Sequence, residues 1–226
     1  MKVLVFGATG MIGSGVLKEC LQDDRVTAVL AVGRSSCGVT HDKLREIIHR
    51  DLFEYVTIKE ELRGYDACFF CLGVSALGKS EEEYRRLTYD LTLAAAQALL
   101  ELNPEMTFCY VSGEGADSTE QGRVMWARVK GKIENELTRM PFKAALMFRP
   151  AYIQPVKGVR SRTPHYRAPY AVFAPLYPIL RRFFPKYVTT TESIGRAMIR
   201  AAEDGQSNRV LASSDINALA ASGGQP

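Results

Sequence analysis

The chain has no run of about 18 uncharged apolar residues, the length a helix needs to cross a bilayer, so no spanning helix is predicted. Its first stretch, "MKVLVFGATG", has one lysine and a short apolar run that glycines cut where a signal peptide would continue. It reads as a buried first strand. Histidine is scarce: His41, His49 and His165 show no metal-ligand spacing, and no metal site is expected. Cysteine is modest and patternless. Cys20, Cys37, Cys68, Cys71 and Cys109 form no disulfide framework and fit a reducing compartment, so a cytoplasmic location is expected. "CFFC" (68–71) has the C-x-x-C spacing, but in an apolar strand positions i and i+3 point to opposite faces, and buried free thiols are predicted instead. Tryptophan occurs once, at Trp126.

What is present is enough for one domain with a full core, at 226 residues and 46% hydrophobic. Short apolar runs alternate with helical patterns. "KVLVF" (2–6), "VTAVLAVG" (26–33), "YDACFFCLG" (65–73), "MTFCYVSG" (106–113) and "KAALMFRP" (143–150) read as strands. "MIGSGVLKECLQ", "SEEEYRRLTYDLTLAAAQALLEL" with Ser80 as N-cap, "RVMWARVKGKIENELTRM" and "TESIGRAMIRAAEDG" read as helices. "KLREIIHRDL" is expected as a helix or turn, and "YVTIKEEL" as a short strand or connector. Strands apolar on both faces and separated by helices predict an α/β fold, a doubly wound parallel sheet in three layers. No internal repeat is found, and "SGGQP" at the end is expected to fray.

The net charge of +4 is mild but unevenly placed. Residues 156–187 carry seven basic residues and no acid, and six of the ten prolines fall in 155–185. Prolines 164, 169, 175, 178 and 185 forbid one long helix there. Aromatics, among them Tyr166, Tyr170 and Phe173, interleave with the arginines. The leading reading is a lid over a small-molecule substrate that is anionic or polar. A patch for a partner subunit or an acidic membrane surface is the second reading, and a proline-rich loop packed on the core is the third. Nucleic acid is not expected, because the aromatics form no regular stacking platform.

"GATGMIG" places Gly7, Gly10 and Gly13 three apart, after an apolar strand and before a helix. A tight turn, close backbone approach to a pyrophosphate and helix-terminal N–H groups make this a dinucleotide cradle, although Thr9 stands where the general G-x-G-x-x-G pattern has its middle glycine. The second strand ends "VGRSS". An acid there would accept from the 2′-hydroxyl of NAD; Arg34, with Ser35 and Ser36 beside it, suits the 2′-phosphate of NADP instead, and NADP is expected in preference to NAD.

With "GATGMIG", "GR", Asp51, "CLG", Ser112 and Lys130 in this order, the chain resembles an atypical short-chain dehydrogenase/reductase, a Rossmann-fold family, and is nearest to its Tat-interacting-protein-like and NmrA-like branches. The likeness covers about residues 1–200. It implies that Gly7, Thr9, Gly10, Met11, Ile12 and Gly13 hold the pyrophosphate, and that Asp51 and Leu52 lie beside the adenine. It further implies that Leu72, Gly73, Val74 and Ser75 line the cofactor, and that Pro150, Tyr152 and Ile153 close the nicotinamide side. The family's chemistry uses serine, tyrosine and lysine: the serine orients the substrate oxygen, and the lysine lowers the tyrosine pKa and holds the nicotinamide ribose, so Lys130 is expected to bind the cofactor as well. Ser112 and Lys130 match, but Trp126 stands at the tyrosine position. Indole cannot relay a proton near neutral pH. Two readings follow. One is an NADP-dependent oxidoreductase acting on a small carbonyl or alcohol, with Tyr152, Tyr166 or water as proton source. The other is an NADPH-binding regulator or scaffold that turns nothing over. A monomer or homodimer is expected. Trp126 and Lys130 at i and i+4 could alternatively be an ordinary cation–π pair.

Overall fold

In the computed structural model the described residues are 1–155, 182, 184–206 and 209–222. Seven parallel strands form the main sheet: β1 (Lys2–Phe6), β2 (Ala28–Gly33), β3 (Leu44–Ile48), β4 (Ala67–Phe70), β5 (Thr107–Val111), β6 (Ala144–Arg149) and β9 (Val210–Ala212). Their order across the sheet is β3-β2-β1-β4-β5-β6-β9. Two further strands, β7 (Tyr152–Gln154) and β8 (Val188–Thr190), pair in parallel as a separate small sheet.

Strand alternation divides the core. On β1, Leu4 and Phe6 face one layer and Val3 and Val5 the other, and all four are fully buried. The first layer lies under α2 (Glu81–Arg85), a π-helical turn (Arg86–Asp90), α3 (Leu91–Leu102) and α4 (Met125–Arg139). Its centre is aromatic: the Phe70 ring lies 5.4 Å from Phe6, 5.8 Å from Phe108 and 6.1 Å from Tyr110. The second layer lies under α1 (Met11–Gln22) and α5 (Thr191–Asp204). These two helices meet where neither has a side chain. A Cβ on Gly15 would stand 2.5 Å from the Thr191 side chain, and one on Gly195 would stand 2.9 Å from Glu19. Because both faces are covered, the central strands β1, β2, β4 and β5 are buried along nearly their whole length. No helix among the described residues is long and apolar enough to cross a membrane.

The expected α/β sheet is found, with local corrections. "KLREIIHRDL" is not a helix or turn: Leu44–Ile48 is the edge strand β3, since alternate exposure suits an edge. "YVTIKEEL" contains no strand; Val56–Ile58 and Glu60–Leu62 are single 3-10 turns that bury only Ile58 and Leu62. Ser80 does cap α2, accepting from the Glu83 amide at 3.1 Å. α5 begins at Thr191 and stops at Gly205, and its cap is Thr190, whose hydroxyl accepts from the Ser193 amide at 2.9 Å. The strands β7, β8 and β9 and the helix α6 (Ser213–Ala221) were not anticipated. Most of the basic aromatic segment, residues 156–181 and 183, lies outside the described residues, and so do 223–226 of the tail.

The sheet order reverses between β1 and β4: the chain winds outward through β2 and β3 on one side and through β4, β5 and β6 on the other. A crevice therefore opens at the carboxyl ends of β1 and β4, the place where open α/β sheets bind ligands.

Candidate functional site

A cleft of about 830 Å³ occupies that crevice. Its floor is the turn after β1. Gly7 has φ +79°, and a Cβ there would stand 2.8 Å from the Cys71 carbonyl carbon, so the turn and the end of β4 approach as only glycine allows. The Gly10 amide donates to the Gly7 carbonyl at 2.9 Å. A Cβ on Gly13 would fall 2.1 Å from the Gly7 oxygen, so the missing side chain is what seats α1 against the turn. Gly10 caps α1 without a side-chain bond, and no acid occupies the first turn, which leaves helix-terminal N–H groups facing the cleft.

Around this floor stand Thr9, Met11 and Ile12 from the turn, Arg34 and Ser35 after β2, and Leu52. Leu72, Gly73, Val74 and Ser75 after β4, and Ile153 on β7, complete the expected lining. Cys37, Glu46, Ile48, Cys71, Leu77 and Lys79 also line it, and sequence reasoning missed all six. Glu46 and Ile48 were missed because β3 was read as a helix or turn. Cys71 directly follows β4, and Cys37, Leu77 and Lys79 lie on loops, with no chemical pattern to mark them.

Six predicted residues do not line the cleft, Ser36 among them, whose hydroxyl donates to Glu46 at 2.8 Å. Gly13 is buried beneath the cleft. Asp51 is exposed and accepts from the Phe53 amide at 3.0 Å. Pro150 is buried, its carbonyl accepting from the Glu114 amide at 3.0 Å. Tyr152 donates its hydroxyl to Gln154 at 2.9 Å. Trp126 is half-buried against the first core layer, its ring 3.5 Å from where a Cβ on Gly115 would stand.

Ser112 and Lys130 do meet in the cleft. Ser112 follows β5 directly and is held by its amide, which donates to the Phe148 carbonyl at 2.8 Å. Its hydroxyl is buried without a hydrogen-bond partner among the described residues. Such an orphan costs about 1–3 kcal/mol, a cost that a polar ligand atom would remove. Lys130 reaches the same space from α4. Its ammonium donates only a long bond, 3.4 Å, to the Val111 carbonyl and lies 5.5 Å from the centre of the Tyr110 ring. The cation–π partner of Lys130 is therefore Tyr110 from the sheet below. Burial pushes the Lys130 pKa down to about 8, against a partial opposing pull from Glu134. Glu134 itself is committed elsewhere: Arg149 on β6 grips its carboxylate through Nε, with both bonds at 3.0 Å, and again through Nη2.

The loop between Ser112 and α4 is tied to that helix. The Asp117 amide donates to the Ala127 carbonyl at 3.0 Å, and Asn135 and Arg149 both bind Ser118. Its passage over α4 depends on Gly131, where a Cβ would stand 1.7 Å from the Asp117 oxygen. The cysteines are free, and Cys68 and Cys71 join opposite core layers, as the strand period requires. Burial pushes the Cys71 thiol up to about 12. Among the described residues no cluster of His, Cys, Asp or Glu could hold a metal ion.

Residues 3–120 match the family model described as the NAD dependent epimerase/dehydratase family. The chain is 28% identical over 155 residues to Protein FMP52-1, mitochondrial, of Scheffersomyces stipitis, spanning 68% of this chain and 67% of that protein. Protein FMP52, mitochondrial, of Chaetomium globosum is 26% identical over 230 residues, spanning 94% of each. Protein HTATIP2 of Rattus norvegicus is 24% identical over 154 residues, 67% of this chain and 62% of that one. Among solved structures, the Bordetella bronchiseptica enzyme WbmF in complex with NAD+ shares the fold with a TM-score of 0.67 at 15% identity, covering 97% of this chain and 77% of that one. The expected cytoplasmic location is corrected by these relatives, since the FMP52 proteins are named mitochondrial.

Proposed function

The chain belongs to the NAD dependent epimerase/dehydratase family, and we propose that it is an NADP-dependent oxidoreductase acting on a small carbonyl or alcohol. The family implies a nicotinamide dinucleotide, and the cleft suits one. The cradle at Gly7, Gly10 and Gly13 admits backbone where a Cβ would clash, and the first-turn N–H groups of α1 favour a diphosphate. Arg34 lines the cleft at the end of β2 and makes no ion pair with a described residue. That free guanidinium supports the 2′-phosphate of NADP over the 2′-hydroxyl of NAD.

A bound nicotinamide supplies or accepts hydride. The observation that carries the reaction is the pairing of the orphan Ser112 hydroxyl with Lys130 in one cleft. Ser112 orients the substrate oxygen by donating its unmatched hydrogen. The sequence left Tyr152, Tyr166 or water as the proton source. Tyr152 is bound to Gln154 outside the cleft, and Tyr166 lies outside the described residues. Lys130, titrating at about 8, is poised to give its proton to the developing alkoxide and to regain one from solvent. Trp126 acts as packing.

The test is binding first, then turnover. NADPH fluorescence should rise on titration with the protein, and absorbance at the nicotinamide band should fall with a panel of small aldehydes and ketones. A second reading, an NADPH-binding regulator without turnover, is favoured by Trp126 at the tyrosine position. Tight NADPH binding with no oxidation across the panel would select it, and no binding would remove both.

A further inference from the structure

Parallel neighbours are normally joined by a crossover of a dozen or more residues that contains a helix. Between β2 and β3 residues 34–43 make the connection without one. The part of this loop at the cleft is fixed by a carboxylate. Glu46 sits on β3 in register with Ala31 of β2. It accepts from the Cys37 amide at 2.7 Å, the Cys37 thiol at 2.6 Å and the Ser36 hydroxyl at 2.8 Å. Ser36 in turn accepts from the Gly38 amide at 3.0 Å. These donors, the Cys37 thiol foremost, hold the Glu46 carboxyl below the usual carboxylate range. It is an anion fixed in place.

Glu46 lines the same cleft as Arg34. Of the other two cations there, Lys79 is committed to Glu83 at 2.7 Å, and Lys130 turns to the Val111 carbonyl beside Ser112. A clamped negative charge and a cation with no ion pair among the described residues therefore share the adenosine end, where NADP carries a dianionic phosphate and NAD a hydroxyl. Resting on the reading of this cleft as an NADP site, we propose that Glu46 is a specificity-determining counterweight to Arg34, repelling the 2′-phosphate that Arg34 attracts and so limiting the preference for NADP over NAD. The hydroxyl of NAD carries no charge to repel and can donate to a carboxylate, so the effect falls on NADP.

Equilibrium titration with NADPH and NADH, read by nicotinamide fluorescence, tests this without a substrate. Glu46→Gln is expected to tighten NADPH roughly tenfold, with NADH unchanged or weaker, and the gain should shrink in high salt as screening predicts. Unchanged or weakened NADPH binding overturns the proposal. Glu46→Ala guards against a variant that merely disturbs the loop. Repulsion predicts that NADPH binding rises in both variants, whereas a purely positioning role predicts that it falls in both. Arg34→Gln separates the two layers of the argument. If it leaves NADPH affinity intact, or if the wild type binds neither nucleotide, the NADP reading fails and the counterweight with it. If Arg34→Gln weakens NADPH while Glu46→Gln changes nothing, only the counterweight fails.

Discussion

At the phosphate end of the cleft the decisive features are backbone: Gly7 with its positive φ, Gly10 at the helix cap, and Gly13, whose missing side chain seats α1. At the reaction end they are side chains: an orphan hydroxyl on Ser112, a depressed ammonium on Lys130 and an indole that stands back from both. Backbone sites tolerate change at few positions but are indifferent to what the side chains do. Side-chain sites can keep their frame while the chemistry moves from one group to another. The contrast explains how a chain can retain a nucleotide cradle and yet carry tryptophan where its relatives by resemblance use tyrosine.

The largest test of this contrast lies in the glycines. Gly13→Ala at the phosphate end should abolish measurable NADPH binding, because its Cβ meets a carbonyl oxygen that has nowhere to go. Gly131→Ala is its counterpart at the reaction end. It should displace the 112–124 loop and lower Tm by several degrees, a shift that calorimetry reads directly, and it should cost turnover more than NADPH affinity. Equal loss of affinity from both would erase the distinction between the two ends.

Next in size is Lys130→Met. Removing a general acid costs about 10²–10⁴-fold in turnover, measured as NADPH oxidation with a responsive aldehyde. In the wild type, reduction should fall tenfold per pH unit above about 8, as the ammonium is lost, while alcohol oxidation should rise up to that pH and level off. Stability should move the other way. The folded-state pKa lies below the unfolded one, so between about 8 and 10.5 the unfolded chain holds more protons and this group's contribution improves as pH rises. Below that window its penalty is full, so Lys130→Met should raise Tm at pH 7 even as it removes activity. A fall in Tm would show that the lysine is held by contacts rather than merely tolerated.

Ser112→Ala follows. It should lower turnover by about a hundredfold to a thousandfold through loss of an aligned donor, with NADPH affinity nearly unchanged. It should not destabilise the protein, since the hydroxyl has no partner among the described residues to lose. The smallest effect is expected from Trp126→Tyr. The ring packs at Gly115 and does not line the cleft, so carbonyl reduction should change by less than about threefold, far below the range of a gained general acid. For the same reason, NADPH should quench Trp126 emission only weakly. A hundredfold gain would mean that the tyrosine position still opens onto the substrate, and would transfer the proton from Lys130 back to it.

Much of the frame was legible beforehand because periodicity and glycine spacing are local. The limits of β1 and α1 follow from the apolar run and the glycine turn between them, and the opposite faces of Cys68 and Cys71 follow from the strand period alone. The edge strand β3 was misread because "LREII" alternates weakly and is half exposed. With it went Glu46, whose partners Ser36 and Cys37 lie on a loop that no pattern marks.

What the sequence determined by itself was the doubly wound sheet, the cradle after Phe6 and the absence of a proton-carrying phenol at residue 126, since each is written in neighbours a few positions apart. What only the tertiary structure decided was which polar groups in the cleft are unmatched, or only weakly matched, among the described residues. The proposed roles of the Ser112 hydroxyl, the Lys130 ammonium and the Arg34 guanidinium rest on groups far along the chain that either fail to reach them or, like Glu134 and Arg149, satisfy each other instead. Desolvation and pairing depend on distance through space, and no spacing along a chain encodes that.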